Sequence, residues 1–231
     1  MHYPLKRQIE KIGPFSLEIE CLEDLNQAID QVFAQIDAQI ASEPKADKNT
    51  KLLEELCPYF GVIWPSARAV SEYLSSLPED EISQKTLLEL GCGLGLPSMI
   101  AAKRGALVSA SDFHPEVEAL LIKNCRRNEL QSLRYSKLNW ETESVNSEKF
   151  DWIIGSDLLY EQRFAESLAR TISSHLKHEG KAVISDPGRP YLQPFVDAML
   201  RHGFRYHTLV FQIPHPPTQQ EVFLLVFERP L

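Results

Sequence analysis

The sequence predicts an α/β protein: a doubly wound, mostly parallel sheet of seven strands, closed by an antiparallel C-terminal hairpin and preceded by a helical N-terminal extension. Three observations predict it. From about Gly61 onward, short apolar runs suited to buried strands alternate with helical patterns, the order that builds parallel strand–helix–strand units. A glycine-rich turn joins the first of these runs to its helix, as in sheets that bind ligands over their carboxyl ends. Between the last two β-rich runs, Tyr206–Ile213 and Val222–Glu228, lies the loop Pro214–Gln220, whose seven residues are too few for a helical crossover.

The elements follow in chain order. Phe15–Glu20 alternates apolar and polar residues as a short strand does. Leu22, Leu25, Ile29, Val32, Phe33, Ile36 and Ile40 recur at helical spacing and predict a helix over Leu22–Ile40. Ser42–Lys51 is polar, contains Pro44 and reads as a surface linker. Residues 1–50 are therefore expected to form an extension that packs on the main domain, caps it or meets a partner, with the main domain at 51–231. Ser66–Leu77 reads as a helix ending before Pro78, and Thr86–Leu90 as the first buried strand. Pro97–Arg104 is the helix after the glycine turn, with Pro97 at its first position. Ala106–Ser111 and Glu116–Asn128 supply the next strand and helix. Leu133–Lys137 is a third, less apolar strand, and Trp152–Ser156 a fourth. Phe164–Leu176 is helical, Lys181–Ser185 is a fifth strand, and Pro190–His202 is a helix stopped at Gly203. Pro214, Pro216 and Pro217 predict an irregular loop before the last strand.

Composition narrows the function classes. A chain of 231 residues, 43% apolar and 24% charged, suits one soluble globular domain. No apolar run reaches bilayer length, and Met1–Lys11 lacks the apolar stretch of a secretory signal. A cytoplasmic protein without a membrane role is expected. Cys21, Cys57, Cys92 and Cys125 form no C-x-x-C pair, and the histidines show no ligand spacing. Reduced, mostly buried thiols and no metal are expected. The net charge of −8 and the absence of a basic stripe argue against nucleic-acid binding. The longest basic cluster, Lys123–Arg127, reads as a solvated helix face. An acidic surface suits a basic partner, such as a lysine-bearing protein. A monomer is the default expectation.

Residues 87–97 read Leu-Leu-Glu-Leu-Gly-Cys-Gly-Leu-Gly-Leu-Pro. Gly91, Gly93 and Gly95 let the backbone turn tightly and approach a ligand. Their spacing is G-x-G-x-G, whereas the dinucleotide fingerprint is G-x-G-x-x-G, and position 96 is Leu. A pyrophosphate needs the missing glycine for close helix packing, and Glu89 would oppose it. The same carboxylate suits a cationic amino-acid ligand reached through ordered water. Asp112 ends the second strand 17 residues after Gly95, where an acidic residue accepts hydrogen bonds from ribose hydroxyls.

Glu89-x-Gly91-x-Gly93-x-Gly95 and Asp112 resemble the first two motifs of the class I, seven-strand, Rossmann-like methyltransferases that use S-adenosyl-L-methionine. Three further segments resemble the family of small protein-lysine methyltransferases: Gly61–Ala67, reading Gly-Val-Ile-Trp-Pro-Ser-Ala; Leu138-Asn139-Trp140; and Asp151–Tyr160, which ends in a D-x-x-Y motif. Asp186–Pro190 resembles the members that methylate the beta subunit of electron transfer flavoprotein. The resemblance covers about residues 55–190. It implies S-adenosyl-L-methionine as cofactor, S-adenosyl-L-homocysteine as product and a protein lysine as acceptor. Gly91, Gly93 and Gly95 would line the methionine part, with Glu89, Leu96 and Ser156 counted among the cofactor contacts. Asp112 would hold the ribose, with Phe113 beside the adenine and Asn139 and Trp140 flanking it. Trp64 would close the methyl-donor side. Asp157 would orient the acceptor, Tyr160 would offer its hydroxyl or ring face to the cationic centre, and Arg189 would touch the substrate.

Two other classes stand beside this reading: a small-molecule N- or O-methyltransferase, and a non-catalytic or NAD-type nucleoside-binding protein. Leu96 and the closing hairpin speak against NAD, and Asp157 with Tyr160 against a binding-only module. Plainer roles are also open. Trp64 could be a core aromatic at a turn, Asp157 a helix cap, Tyr160 and Trp140 packing residues, and Asp186–Arg189 a turn made by Pro187 and Gly188. His114 reads as a loop residue.

Overall fold

The computed structural model describes residues 3–42, 57–131, 133–141 and 148–230. Among them the strands are β1 (Leu5–Ile12), β2 (Phe15–Leu22), β3 (Thr86–Leu90), β4 (Leu107–Asp112), β5 (Arg134–Lys137), β6 (Phe150–Ser156), β7 (Leu176–Asp186), β8 (Arg205–His215) and β9 (Thr218–Glu228). The helices are α1 (Leu25–Ser42), α2 (Pro65–Ser76), the single turn α3 (Glu79–Ile82), α4 (Leu96–Lys103), α5 (Val117–Arg127), α6 (Phe164–His175) and α7 (Leu192–Arg201).

Strands β3 to β9 form one sheet of seven strands in the order β5-β4-β3-β6-β7-β9-β8. The first five are parallel, and β9 pairs antiparallel with both β7 and β8. The expected mostly parallel sheet with an antiparallel close is therefore observed. Strand alternation divides its residues between two faces. Leu87, Trp152, Ile154, Val183, Leu224 and Val226 pack with residues of α2, α4 and α5. Leu88, Leu90, Ile153, Ile184, Leu225 and Phe227 pack with α6 and α7. Because β4 lies on one side of β3 and β6 on the other, the chain reverses its winding there. The carboxyl ends of β3, β4 and β6 flank the crevice where such sheets hold ligands.

The structure corrects several boundaries. Residues 5–12 form β1, which its mixed charged pattern concealed. Leu22 ends β2 opposite Leu5, so α1 starts three residues later than expected, at Leu25. The linker expected at Ser42–Lys51 lies, beyond Ser42, outside the described residues. Pro97 occupies the second helical position, because Gly95, at φ 74°, caps α4 and Leu96 begins it. β7 starts at Leu176, directly after α6. The expected irregular loop at 214–220 shrinks to a turn at Pro216 and Pro217, since Pro214 pairs with Gln219 and His215 with Thr218. β8 is an edge strand, so Pro214 removes no hydrogen bond that a further neighbour requires.

The β1–β2 hairpin belongs to the same core. Ile12, Leu17, Ile19 and Cys21 are buried in the cluster that contains Leu87 and Met99. Its outer edge is satisfied by α5 in an unusual way. The Asn124 side chain accepts from Glu20 N at 2.8 Å and donates to Glu20 O at 3.0 Å. One helical turn on, Asn128 makes the same pair of bonds to Glu18, both at 2.9 Å. Two side-chain amides thus imitate the next strand. The expected solvated face at Lys123–Arg127 holds for the exposed Lys123 and Arg126, while Arg127 is half-buried, and Lys123 and Arg127 both bond to Glu20, whose side chain is nearly buried. On the other strand, Arg68 of α2 grips Glu10 with two bonds of 2.8 and 2.7 Å. Such paired N–H donors make a stronger contact than a single ion pair.

Candidate active site

A cavity of about 340 Å³ opens over the carboxyl ends of β3, β4 and β6. Its floor is the β3–α4 loop. Gly91, Gly93 and Gly95 have φ of 61°, 49° and 74°, the left-handed region that glycine enters without strain. A Cβ on Gly93 would stand 3.1 Å from Phe60 O, so that glycine also permits a close approach of two backbones. Asp112 at the end of β4 braces the loop. Its Oδ2 accepts from Gly93 N and its Oδ1 from His114 N, both at 2.9 Å. Burial pushes the Asp112 carboxyl above its ordinary value, against the pull of these amides. Each oxygen keeps lone-pair capacity for ribose hydroxyls.

Of the residues expected to hold the cofactor, Trp64, Gly91, Gly93, Gly95, Leu96, Asp112, Phe113, Trp140 and Ser156 line this cavity. Asp157, Tyr160 and Arg189, expected on the acceptor side, line it too. Glu89 and Asn139 do not. Glu89 points to the face of β3 that carries α4. Its Oε2 accepts from Ser98 N at 3.0 Å and from the Ser98 hydroxyl. It therefore caps the first turn of α4, where a carboxylate also meets the positive end of the helix dipole. Burial dominates nonetheless and pushes its pKa up to about 8. Asn139 turns its side-chain oxygen to Glu141 N at 3.0 Å, in its own loop.

The roof is residues 57–64, and most of it was not anticipated. Tyr59, Phe60, Val62 and Ile63 line the cavity just before Trp64. Val62 and Ile63 fall within Gly61–Ala67, the segment singled out in the sequence, whereas Tyr59 and Phe60 precede it. Trp64 bonds through Nε1 to Tyr59 O at 3.0 Å, which folds the segment on itself. Phe60 stacks on His114 with ring centroids 4.2 Å apart. His114 is a loop residue, as expected, and its ring is also a buried wall of the cavity. No local signal reveals this, because the partner ring lies 54 residues upstream.

The far wall comes from the segments after β6 and β7. Asp157 has φ 60°, a left-handed conformation that costs a non-glycine residue strain. Its N–H donates to Ser185 O at 3.0 Å, and its Oδ1 pairs with Arg189 at 2.6 Å. Its Oδ2 is buried and accepts no hydrogen bond. Burial pushes the Asp157 carboxyl up, opposed first by the charge of Arg189 and then by a hydrogen bond that the Ser66 hydroxyl donates to it. Asp157 does not cap α6, which starts seven residues later at Phe164. Tyr160 is half exposed and meets Phe164 edge-on at 4.9 Å. Trp140 meets the same ring at 5.8 Å, and its Nε1 is buried without a partner. The Asp186–Arg189 segment is a turn, as expected, with Gly188 at φ 92° and the Asp186 carboxylate bonded within it.

A seven-stranded sheet of this order, with a glycine loop and an acidic strand end over its carboxyl edge, is the architecture of S-adenosylmethionine-dependent methyltransferases. One solved example is magnesium protoporphyrin IX methyltransferase from Synechocystis with bound S-adenosylmethionine. It superposes with a TM-score of 0.58 over 71% of this chain and 78% of that one, at 16% identity, a likeness of fold alone. A family model described as lysine methyltransferase matches residues 47–191, and the chain belongs to that family. The electron transfer flavoprotein beta subunit lysine methyltransferase of Mus musculus is 31% identical over 71% of this chain. The match spans 62% of that relative, so the chain covers less than two thirds of its length. The histidine protein methyltransferase 1 homolog of Dictyostelium discoideum is also 31% identical, over 53% of this chain and 41% of its own.

Proposed function

We propose that this chain transfers the methyl group of S-adenosylmethionine to the side-chain amine of a lysine in a protein. One observation carries the reading: a single cavity joins the glycine loop and Asp112 to Asp157, Tyr160 and Arg189. Membership of the lysine methyltransferase family supports the acceptor.

The residues present fit the cofactor. The three left-handed glycines leave a side-chain-free floor, Asp112 offers acceptors to ribose, and the unpartnered Trp140 Nε1 offers a buried donor. When bound, S-adenosylmethionine supplies a sulfonium whose methyl group is open to in-line displacement. The protein's share is alignment. Asp157 Oδ2, free of protein partners, accepts an N–H of the amine and so fixes the direction of its lone pair. The acceptor lysine must be neutral to attack. Enclosure by Trp64, Phe60 and Tyr160 desolvates it and lowers its pKa. Arg189 offsets the charge of Asp157, which limits how strongly the site stabilises an ammonium.

The test is incubation of the chain with methyl-labelled S-adenosylmethionine and cell lysate, counting label in protein and in small-molecule fractions. Label in protein is expected. Label confined to small molecules sinks the lysine reading, and tight NAD binding without S-adenosylmethionine binding sinks the whole proposal. Asp157→Ala should abolish transfer while leaving S-adenosylhomocysteine affinity unchanged, since Arg189 keeps Asp186 as a partner.

A further inference from the structure

At the ends of β6 and β7, three charged side chains form a continuous chain. Asp186 is fully buried, and both its carboxylate oxygens accept hydrogen bonds within one turn. Its Oδ1 accepts from Gly188 N at 2.8 Å and Arg189 N at 2.6 Å, which fixes the Arg189 backbone. Its Oδ2 accepts from Arg189 Nη1 at 2.9 Å, which fixes the guanidinium. The same Nη1 reaches Asp157 Oδ1 at 2.6 Å. Asp157 in turn has one oxygen held and the other, Oδ2, buried and unpartnered on a strained backbone. A buried carboxylate oxygen is costly to leave unpaired, and Asp157 lines the cavity, where a ligand N–H can supply the missing donor.

We infer that Asp186 is a positioning residue for methyl transfer: through Arg189 it holds Asp157 with Oδ2 reserved for the acceptor's N–H. The inference rests on the methyl-transfer reading of the cavity. Asp186 itself does not line the cavity, and it acts only through Arg189. The groups that bear on the charge of Asp157 are Arg189, Asp186 and the Ser66 hydroxyl of α2, with Arg189 outweighing Asp186. Those that bear on Arg189 are the two carboxylates. If loss of the Asp186 oxygen frees Arg189 from Asp157, the Asp157 carboxyl rises; if Arg189 stays, loss of the Asp186 charge lowers it.

Asp186→Asn separates this role from a structural one. The asparagine carbonyl still accepts from the Gly188 and Arg189 amides, so the turn is kept. Its NH2 replaces the oxygen that holds Nη1. The expected result is a fall in kcat of roughly ten-fold or more with an unchanged S-adenosylmethionine KM, the size seen when members of one polar network are uncoupled. In an Arg189→Gln background the same change should have no further effect, because the link is already broken. Losses that multiply in the double variant would overturn the inference. A second readout needs no turnover. In protein carrying carboxyl-labelled aspartate, the NMR titration midpoint of Asp157 should rise in both Asp186→Asn and Arg189→Gln. A midpoint in Asp186→Asn equal to the wild-type value, or below it as when Arg189 stays on Asp157 and only the Asp186 charge is lost, would overturn the inference. A wild-type chain that moves no methyl group would sink the functional reading, and the titration would then decide the role of Asp186 alone.

Discussion

Glu89→Gln tests how a motif carboxylate is used when it does not reach the cavity. Glu89 is 1% exposed, and its pKa is pushed from 4.5 to about 8. The folded chain therefore holds this proton over a range in which the unfolded chain has released it. The stabilisation is complete below about pH 4.5, declines as pH rises, and is lost above about pH 8. At about 1.4 kcal/mol per pH unit, wild type should lose roughly 4 kcal/mol from this group between pH 4 and pH 8. The substituted glutamine is neutral at every pH and can still accept from Ser98. The variant should therefore grow more stable relative to wild type as pH rises, by an amount of that order. Urea unfolding at several pH values between 4 and 8 measures it. Parallel stability curves would refute the reasoning, since they would mean that Glu89 ionises at its ordinary value. S-adenosylhomocysteine affinity should be unchanged, because Ser98 and not the cavity is the partner of Glu89.

Other outcomes follow from particular contacts. Gly93→Ala places a Cβ 3.1 Å from Phe60 O at φ 49°, and should cost about 1–3 kcal/mol and weaken cofactor binding by calorimetry. A variant with wild-type affinity would show that the roof yields freely. Asn124→Ala strips two bonds from the Glu20 backbone and should cost about 2–4 kcal/mol, read by thermal unfolding and by faster proteolysis of the β1–β2 hairpin. A loss under about 0.5 kcal/mol would mean that water replaces the amide. Arg68→Ala leaves the nearly buried Glu10 without its two-point partner and should cost about 2–3 kcal/mol, whereas an unchanged unfolding midpoint would contradict a stabilising role.

The parts of this protein that are legible in its sequence are those whose signals are local. β3, the glycine turn and α4 are contiguous, and their order alone announces a ligand site. β6, β7 and β9 are likewise read from short, nearly continuous apolar runs, the pattern of strands buried on both faces. What escapes the sequence depends on partners brought together by the fold. β1 is hidden because its inward Glu10 is made tolerable by Arg68, 58 residues away. Glu89 has the position of a cofactor contact, yet the parity of β3 turns it towards Ser98. His114 becomes a wall of the cavity only when Phe60 crosses above it. Pro214 can pair within β8 because that strand lies at the edge of the sheet, a fact that topology alone supplies. Asp186 resembles any turn residue until Arg189 and Asp157 are seen in line with it.

The proposed lysine methylation requires the cavity to present an amine to the sulfonium methyl group. The most direct measurement is to label protein acceptors with tritiated S-adenosylmethionine, hydrolyse the labelled protein in acid and separate its amino acids. Label is expected in methylated lysine and is lost in Asp157→Ala. Label in methylhistidine or methylarginine, or none in protein, would contradict it.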